Sequence, residues 1–378
     1  MKLTILQEKL KEGMAVIDKV SPRNFTLPIL KNILLKTEKS FLKISATDLE
    51  TGITWWGLAK IEEEGDVTVP GSLFSGLLSL ISNRQISLST KDQVLLAESE
   101  GYKTKIKTSN PEDFPIIPSV PDNEYAVIDT QSFCRGLSQV VDVAATSNAR
   151  PEIGGIFFSF TKDSLRMAAT DSFRLAEKII NIKQLALEEK EYSFIVPKKT
   201  AKEVISVFAD KGGEMRIYFS PNQIMFELAM EETSHPLIRL TSRLVEGEYP
   251  NYREIIPQDY GTQVILSRDN FLSNIKGASL FGGKVNEVKI ETNPKDETIE
   301  ISSQNPEAGE FNSSIRGELK GKRAEVYFDC RFLIEGLTNI KSSEILLGVS
   351  GGEDGGPGVI KPVGDDSYVY VVMPIRNN

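Results

Sequence analysis

The sequence predicts an α+β fold made of three tandem copies of one domain. Three observations carry that expectation. A break followed by a helix with one apolar stripe recurs three times. Val69-Pro70 precedes Phe74, Leu77, Leu78 and Ile81; Val196-Pro197 precedes Ala201, Val204, Ile205 and Phe208; Phe328-Asp329 precedes Leu333, Gly336, Leu337 and Ile340. The i, i+3, i+4, i+7 spacing turns one face of each helix to a core. A polar turn recurs as well: Thr47-Asp48-Leu49-Glu50, Thr170-Asp171-Ser172-Phe173 and Gln304-Asn305-Pro306-Glu307, with Asp48, Asp171 and Asn305 spaced by 123 and 134 residues. That period is the size of a domain and far longer than a solenoid repeat. Finally, strand and helix patterns mix without strict βαβ alternation, which predicts antiparallel sheets.

Each unit reads helix, strands, helix, strands. The first helices carry Leu6, Leu10 and Ile17; Phe133, Leu137 and Val140; Phe271, Ile275 and Ala278. The strands that follow are expected at 30–37 and 41–47, at 155–161 and 164–169, and at 287–292 and 298–303. Two proline-rich stretches, Pro111–Pro121 and Glu246–Pro257, close the first two units. Proline locks φ and gives up a ladder donor, so these read as ordered extended connectors rather than helices or central strands. The expected domains are 1–121, 122–257 and 258–378.

Composition narrows the function. The chain has 378 residues, 40% apolar and 26% charged, with a net charge of −9. That is an ordinary globular balance, and whole-chain acidity argues against a simple non-specific nucleic-acid coat. No apolar run is long enough to span a bilayer, and Met1-Lys2-Leu3-Thr4 leads into a charged helix without a signal-peptide pattern, so a cytoplasmic location is expected. Cys134 and Cys330, both at expected helix starts, read as free thiols rather than a disulfide framework or zinc site. The single histidine, His235, precedes Pro236 and lies far from any Ser or Cys motif. Gly351-Gly352-Glu353-Asp354-Gly355-Gly356 lacks the Lys-Ser/Thr of a phosphate loop and carries two carboxylates, so it reads as a hairpin loop. Asp48 and Asp171 recur as turn residues that cap their own backbone. No catalytic residue, metal site or cofactor is expected.

Four segments carry a resemblance. A-T-D-S-F-R-L-A at 169–176, A-R-P-E-I-G-G-I-F-F at 149–158, E-G-E-Y-P-N-Y-R-E-I-I-P at 246–257 and V-Y-V-V-M-P-I-R at 369–376 closely resemble the bacterial DNA polymerase III beta subunit, the sliding clamp. L-P-I-L-K-N-I-L-L at 27–35 and A-T-D-L-E-T-G-I at 46–53 resemble its first domain. The resemblance runs the whole length in order. It implies a DNA clamp fold, a head-to-tail homodimer closed into a ring around duplex DNA, and a non-catalytic role in tethering the replicative polymerase. It also implies an ATP-driven loader, because the chain has no nucleotide motif of its own. A repeated α+β interaction scaffold that never encircles DNA is the alternative.

The resemblance implies a groove between the second and third domains for short Gln-x-x-Leu-Phe-type motifs. These would come from the polymerase alpha subunit, the clamp loader, repair polymerases and mismatch-repair proteins. The matching positions are Ile153, Thr170, Ser172, Phe173, Arg174, Leu175, Pro250, Ile255, Val371, Met373, Pro374, Ile375 and Arg376. Phe173 stands where histidine is frequent in the family, and Glu254 where some members carry arginine. For the DNA-facing surface, helix polar faces offer Lys9, Lys11, Arg135, Lys198, Lys199, Lys202, Lys276 and Arg331, while Arg23 and Arg150 match the family's DNA-touching loops. The helix after Pro70 instead presents Ser72, Ser75, Gly76 and Ser79. For ring closure, Lys103, Lys105 and Lys107 alternate on one strand face, opposite acids in unit three that include Glu297, Glu300, Glu307 and Glu310. Leu280 and Phe281, with Ile106, are expected to form the apolar centre of that contact.

Overall fold

The computed structural model describes every residue except 21–26, 82–84, 123, 147–148, 187–190, 232, 350–355 and 376–378. Arg23, Arg376 and most of the glycine-rich loop therefore lie outside the described residues. Two helices fall in each unit: α1 (Gln7–Ile17) and α2 (Gly71–Leu80), α3 (Thr130–Val140) and α4 (Lys198–Phe208), α5 (Arg268–Ser279) and α6 (Cys330–Thr338). The repeated stripes are buried. Phe74, Val204, Phe208, Leu333 and Leu337 are essentially inaccessible, while Leu77 and Ile205 are half-buried. Leu6 corrects the expected first stripe: it precedes α1 and is exposed, because the strand Lys2–Leu6 runs straight into the helix. Cys134 and Cys330 are both buried and free, but Cys134 lies a turn inside α3 rather than at its start. His235 is stacked on Phe41 and edge-on to Trp56, a packing role.

The strands pair antiparallel throughout the named sheets. Unit one contains a five-stranded sheet with Tyr102–Lys107 at one edge, and unit three a four-stranded sheet with Gly309–Arg316 at one edge. Between them run two nine-stranded sheets, and each crosses a unit boundary. Thr51–Leu58 of unit one pairs with Pro236–Arg243 of unit two, with Gly52 opposite Thr241. Arg174–Asn181 of unit two pairs with Tyr368–Val372 of unit three, with Leu175 opposite Val371. Backbone ladders thus weld the units together, and the unsatisfied edges of each unit are consumed by the next.

Strand alternation gives these sheets two different faces. Ala176, Tyr370 and Val372 join the continuous core beneath the helices, while Leu175, Val369 and Val371 point the other way into a second cluster with Tyr252. The proline-rich connectors cover that second face. Val120 packs on Tyr218 and Met225 at the first joint, and Tyr249, Tyr252 and Ile256 pack around Leu175 and Val371 at the second. Both connectors contain a short 3₁₀ turn, Pro111–Asp113 and Tyr252–Ile255, which corrects the expectation of purely extended chain. Proline at the first position of such a turn loses no hydrogen bond.

The recurring polar turns share one geometry. The Asp48 carboxylate accepts from the backbone N–H of Glu50 and Thr51, and Asp171 accepts from Phe173 and Arg174 in the same way. Leu49 and Ser172 both adopt left-handed backbone, with φ of 77° and 76°. Asn305 accepts from Glu307. The side-chain oxygen satisfies donors that the tight turn would otherwise strand.

Candidate functional site

The second joint gathers most of the expected groove residues. Its floor is buried: Leu175 and Val371 are paired across strands, and Thr170 donates from Oγ1 to the Arg174 carbonyl at 2.7 Å. Its lips are exposed and apolar, with Phe173 63% accessible, Ile255 46% and Met373 37%. The Met373 N–H donates to the Phe173 carbonyl at 2.8 Å, so these two lips are held together by the backbone. The Ile375 N–H donates to the Tyr327 carbonyl, which ties the C-terminal segment back to unit three. Ile153 is buried in a turn after Pro151, and the connector passes beside it, with Gly247 next to Glu152. Pro250 and Pro374 are half-buried along the same cleft. Such an arrangement, apolar walls with a few fixed polar groups, suits an extended peptide carrying bulky apolar anchors.

Arg174 is the electrostatic centre of this joint. Its Nε donates to Asp171 at 2.9 Å, one terminal nitrogen donates to Glu335 on α6, and the guanidinium lies 4.6 Å from the Phe332 ring centre. Burial opposes its charge, but Glu335 and Asp171 more than offset that and raise its pKa above the ordinary arginine value. Only 9% of the side chain is accessible, so Arg174 bolts unit two to unit three at the groove wall. A parallel cluster underlies the connector: Tyr252 donates to Glu177 at 2.6 Å, and Arg166 pairs with the same carboxylate at 2.9 Å.

The helix face is basic against an acidic background. The six helices carry nine Lys and Arg against five Asp and Glu, a net +4 in a chain of net −9. Several of these cations are already engaged. Lys199 pairs with Asp48, Lys202 with Asp142 at 2.8 Å, Lys9 with Glu12 at 3.4 Å and Arg331 with Asp329 at 2.6 Å. Lys198 is only half-exposed and donates to the carbonyls of Asp142 and Ala144; burial, with Lys202 nearby, lowers its pKa. Lys11, Arg135 and Lys276 are exposed and lie in no ion pair among the described residues. Arg150 is exposed and pairs with Glu152 at 3.0 Å. α2 adds no charge to this face.

At the Tyr102–Lys107 edge, Lys103, Lys105 and Lys107 are exposed, and Lys103 pairs with Glu98 at 2.5 Å. Ile106 points the opposite way and is buried in the core of its own unit, so strand alternation removes it from any interface centre. In unit three, Leu280 is 76% accessible, and Phe281 stacks on Phe311 of the edge strand with centroids 6.4 Å apart. Glu300 lies one strand in from the edge, opposite Ser314, and Glu297 precedes that inner strand; Glu310 sits on the edge strand itself.

Models of the N-terminal, central and C-terminal domains of the DNA polymerase III beta subunit match residues 1–118, 127–251 and 253–376. The chain belongs to the DNA polymerase III beta subunit family. The beta sliding clamp of Staphylococcus aureus is 26% identical over 371 residues, 94% of each chain, and that of Synechocystis is 24% identical over 401 residues, covering 100% of this chain and 99% of its own. Solved structures agree in fold. The DNA polymerase sliding clamp of Bacillus subtilis superposes with a TM-score of 0.92 at 24% identity, and the beta subunit of Pseudomonas aeruginosa with 0.91 at 24%, each covering both chains in full.

Within this beta-subunit fold, sequence reasoning missed Glu335 and Phe332, which hold Arg174 from α6, and Phe157, which stacks on Tyr249 at 5.1 Å. The Y-P-N-Y run at 249–252 was a usable signal, since two tyrosines in a connector need apolar cover. Glu335 and Phe332 gave none, because they lie some 160 residues from Arg174 in the chain.

Proposed function

We propose that two copies of this chain close head to tail into a ring around duplex DNA and tether the replicative polymerase, as a sliding clamp without chemistry of its own. One observation carries the reading. Pro236–Arg243 and Tyr368–Val372 are the last strands of units two and three, and each pairs with a strand of the preceding unit. Tyr102–Lys107 holds the same place in unit one, and Gly309–Arg316 is the unit-three counterpart of the strands that receive them. A second copy repeats the same joint. The exposed lysines Lys103, Lys105 and Lys107 and the Leu280, Phe281 and Phe311 patch then meet across it, with Glu300 and Glu310 nearby.

The units of the reading are 1–121, 122–257 and 258–378. DNA is held topologically and without sequence preference, so a loose basic lining of Arg135, Lys276 and the more engaged Lys198, Lys199 and Lys202, with Arg150 at the rim, is sufficient. The groove at the second joint takes Gln-x-x-Leu-Phe-type motifs of the polymerase alpha subunit, the clamp loader, repair polymerases and mismatch-repair proteins. Phe173, Ile255 and Met373 grip the apolar anchors. No cofactor is required. The setting is cytoplasmic, at the nucleoid; no helix among the described residues is long and apolar enough to cross a membrane.

The test is retention on DNA after loading by a clamp loader of proven activity. Protein loaded on nicked circular plasmid should survive a high-salt wash and leave once the circle is linearised. Loss from both forms alike, or persistence on both, overturns the ring. Reversing Lys103, Lys105 and Lys107 to Glu should raise the monomer fraction in sedimentation, and an unchanged dimer overturns the edge assignment.

A further inference from the structure

We propose that the joint between units one and two holds a binding site for a small aromatic or aliphatic carboxylate, on the opposite rim from the peptide groove. A cavity of about 310 Å³ opens there, lined by Trp55, Trp56, Leu58, Leu228, Met230 and Leu237. Its volume falls at the small end of the range for natural ligand pockets. Unit one supplies the tryptophans and Leu58; unit two supplies the other wall. Where α1 begins and α4 has just ended, Lys9 and Lys211 share a single carboxylate, Glu12, at 3.4 and 3.6 Å. Glu231 stands exposed on the far lip.

The second observation is a stranded donor. Trp55 is 1% accessible, and its Nε1–H has no acceptor. An unpaired buried donor is costly and uncommon in a native fold, and it calls for a partner. The ring cannot easily turn to find one. A Cβ on Gly13 or Gly57 would lie 2.5 or 2.0 Å from its six-membered ring, so the two glycines leave room for the indole and little more. An apolar body against Leu228, Met230 and Leu237 with one anionic acceptor group answers each feature. Apolar burial supplies affinity, the acceptor satisfies the indole, and two lysines with long bonds to one carboxylate have donors to spare.

The corresponding rim of the second joint is built otherwise. Lys178 takes the place of Trp55 beneath Gly136 and is held by Asp365 at 3.1 Å and by Ser367. The apolar pocket is thus particular to the first joint rather than a by-product of the repeat. It does not depend on ring closure.

The chain has two tryptophans; both border this cavity, but Trp56 turns its ring to the opposite sheet face against His235 and Glu38, so a bound ligand should act on the Trp55 part of the emission. The probe is 4-phenylbutyrate, with 4-phenylbutanamide as its neutral counterpart, both transparent where tryptophan is excited. The expected result is a saturable change in emission with 4-phenylbutyrate. The double substitution Lys9→Ala, Lys211→Ala should weaken the acid at least about fivefold while leaving the amide unmoved, since roughly 1 kcal/mol separates the two. Ala229→Leu, which narrows the cavity from its wall, should abolish both responses, with circular dichroism confirming the fold. No saturable change up to about 10 mM, an affinity limit near 3 kcal/mol, overturns the proposal. So does a response insensitive to both sets of substitutions.

Discussion

The two internal joints share one backbone topology, and a single position, Thr51 against Arg174, separates their electrostatics. At the second joint, Arg174 follows the Asp171 turn and reaches Glu335 on α6. At the first, Thr51 follows the Asp48 turn, and the acid at the matching place on α4 is Glu203. Threonine is short and carries no charge to pair with it. Glu203 is left nearly buried, its Oε2 and the Thr51 hydroxyl both without a hydrogen-bond partner. Burial pushes its pKa up to about 7, against the opposing pull of Lys199. Lys199 pairs closely with Asp48 and only at 4.0 Å with the other Glu203 oxygen. Identical topology therefore yields a tight ion cluster at one joint and a weakly paired buried acid at the other. The ladder defines where the units meet, and side-chain reach determines how firmly.

That contrast can be broken at its stronger end first. Arg174→Ala should cost about 3 kcal/mol in urea unfolding, because it strands Asp171 and Glu335 and removes the stacking on Phe332; a loss below about 1 kcal/mol would show that the cluster adds little to the ladder. The weaker joint should show itself in pH dependence. The Glu203 pKa is raised from 4.5 in the folded state, so its contribution is fully present below that value and is lost as pH rises through about 7. Between those limits stability should fall by at most about 1.4 kcal/mol per pH unit. Glu203→Gln should flatten that slope in unfolding measured at pH 5, 6, 7 and 8.

Packing offers a finer comparison. Gly13→Ala drives a methyl against the rigid Trp55 ring, while Gly136→Ala meets first the flexible end of Met167, with Ile180 Cγ2 and Lys178 Cγ farther off at 3.2 and 3.4 Å. The first should lose about 2 kcal/mol and the second less than about 1, read as a difference in Tm. The smallest effect belongs to the groove. Met373→Ala should weaken a fluorescently labelled Gln-x-x-Leu-Phe peptide by about 1 kcal/mol in anisotropy, with stability unchanged, since the side chain is a partly exposed lip. Unaltered affinity would move the anchor site elsewhere on the joint.

Much of the fold was readable along the chain because the signals are local. Stripe spacing placed all three second helices, and the asparagine and aspartate turns capped their own backbone as short-range hydrogen bonding dictates. Errors arose where direction in space mattered. Ile106 is apolar on an edge strand, yet alternation points it inward while its lysine neighbours point out. Lys198 and Lys199 read as free cations on a polar helix face, but the same unit brings the Asp142 and Ala144 carbonyls to Lys198 and the preceding unit brings Asp48 to Lys199. The proposed groove positions could be named only through their resemblance to a family, because Val371 and Leu175 become neighbours only when the last strand of unit three pairs with unit two.

The sequence by itself determined the threefold repeat, the helix stripes, the antiparallel α+β class and the absence of recognisable catalytic motifs, because each follows from residues within a few turns or strands of one another. The tertiary structure alone decided which edges pair across joints, which charges are neutralised there, and where the Trp55 Nε1–H and one Glu203 oxygen end up without a hydrogen-bond partner. Those outcomes depend on contacts between residues more than a hundred positions apart, where the reach of a single side chain outweighs any local propensity.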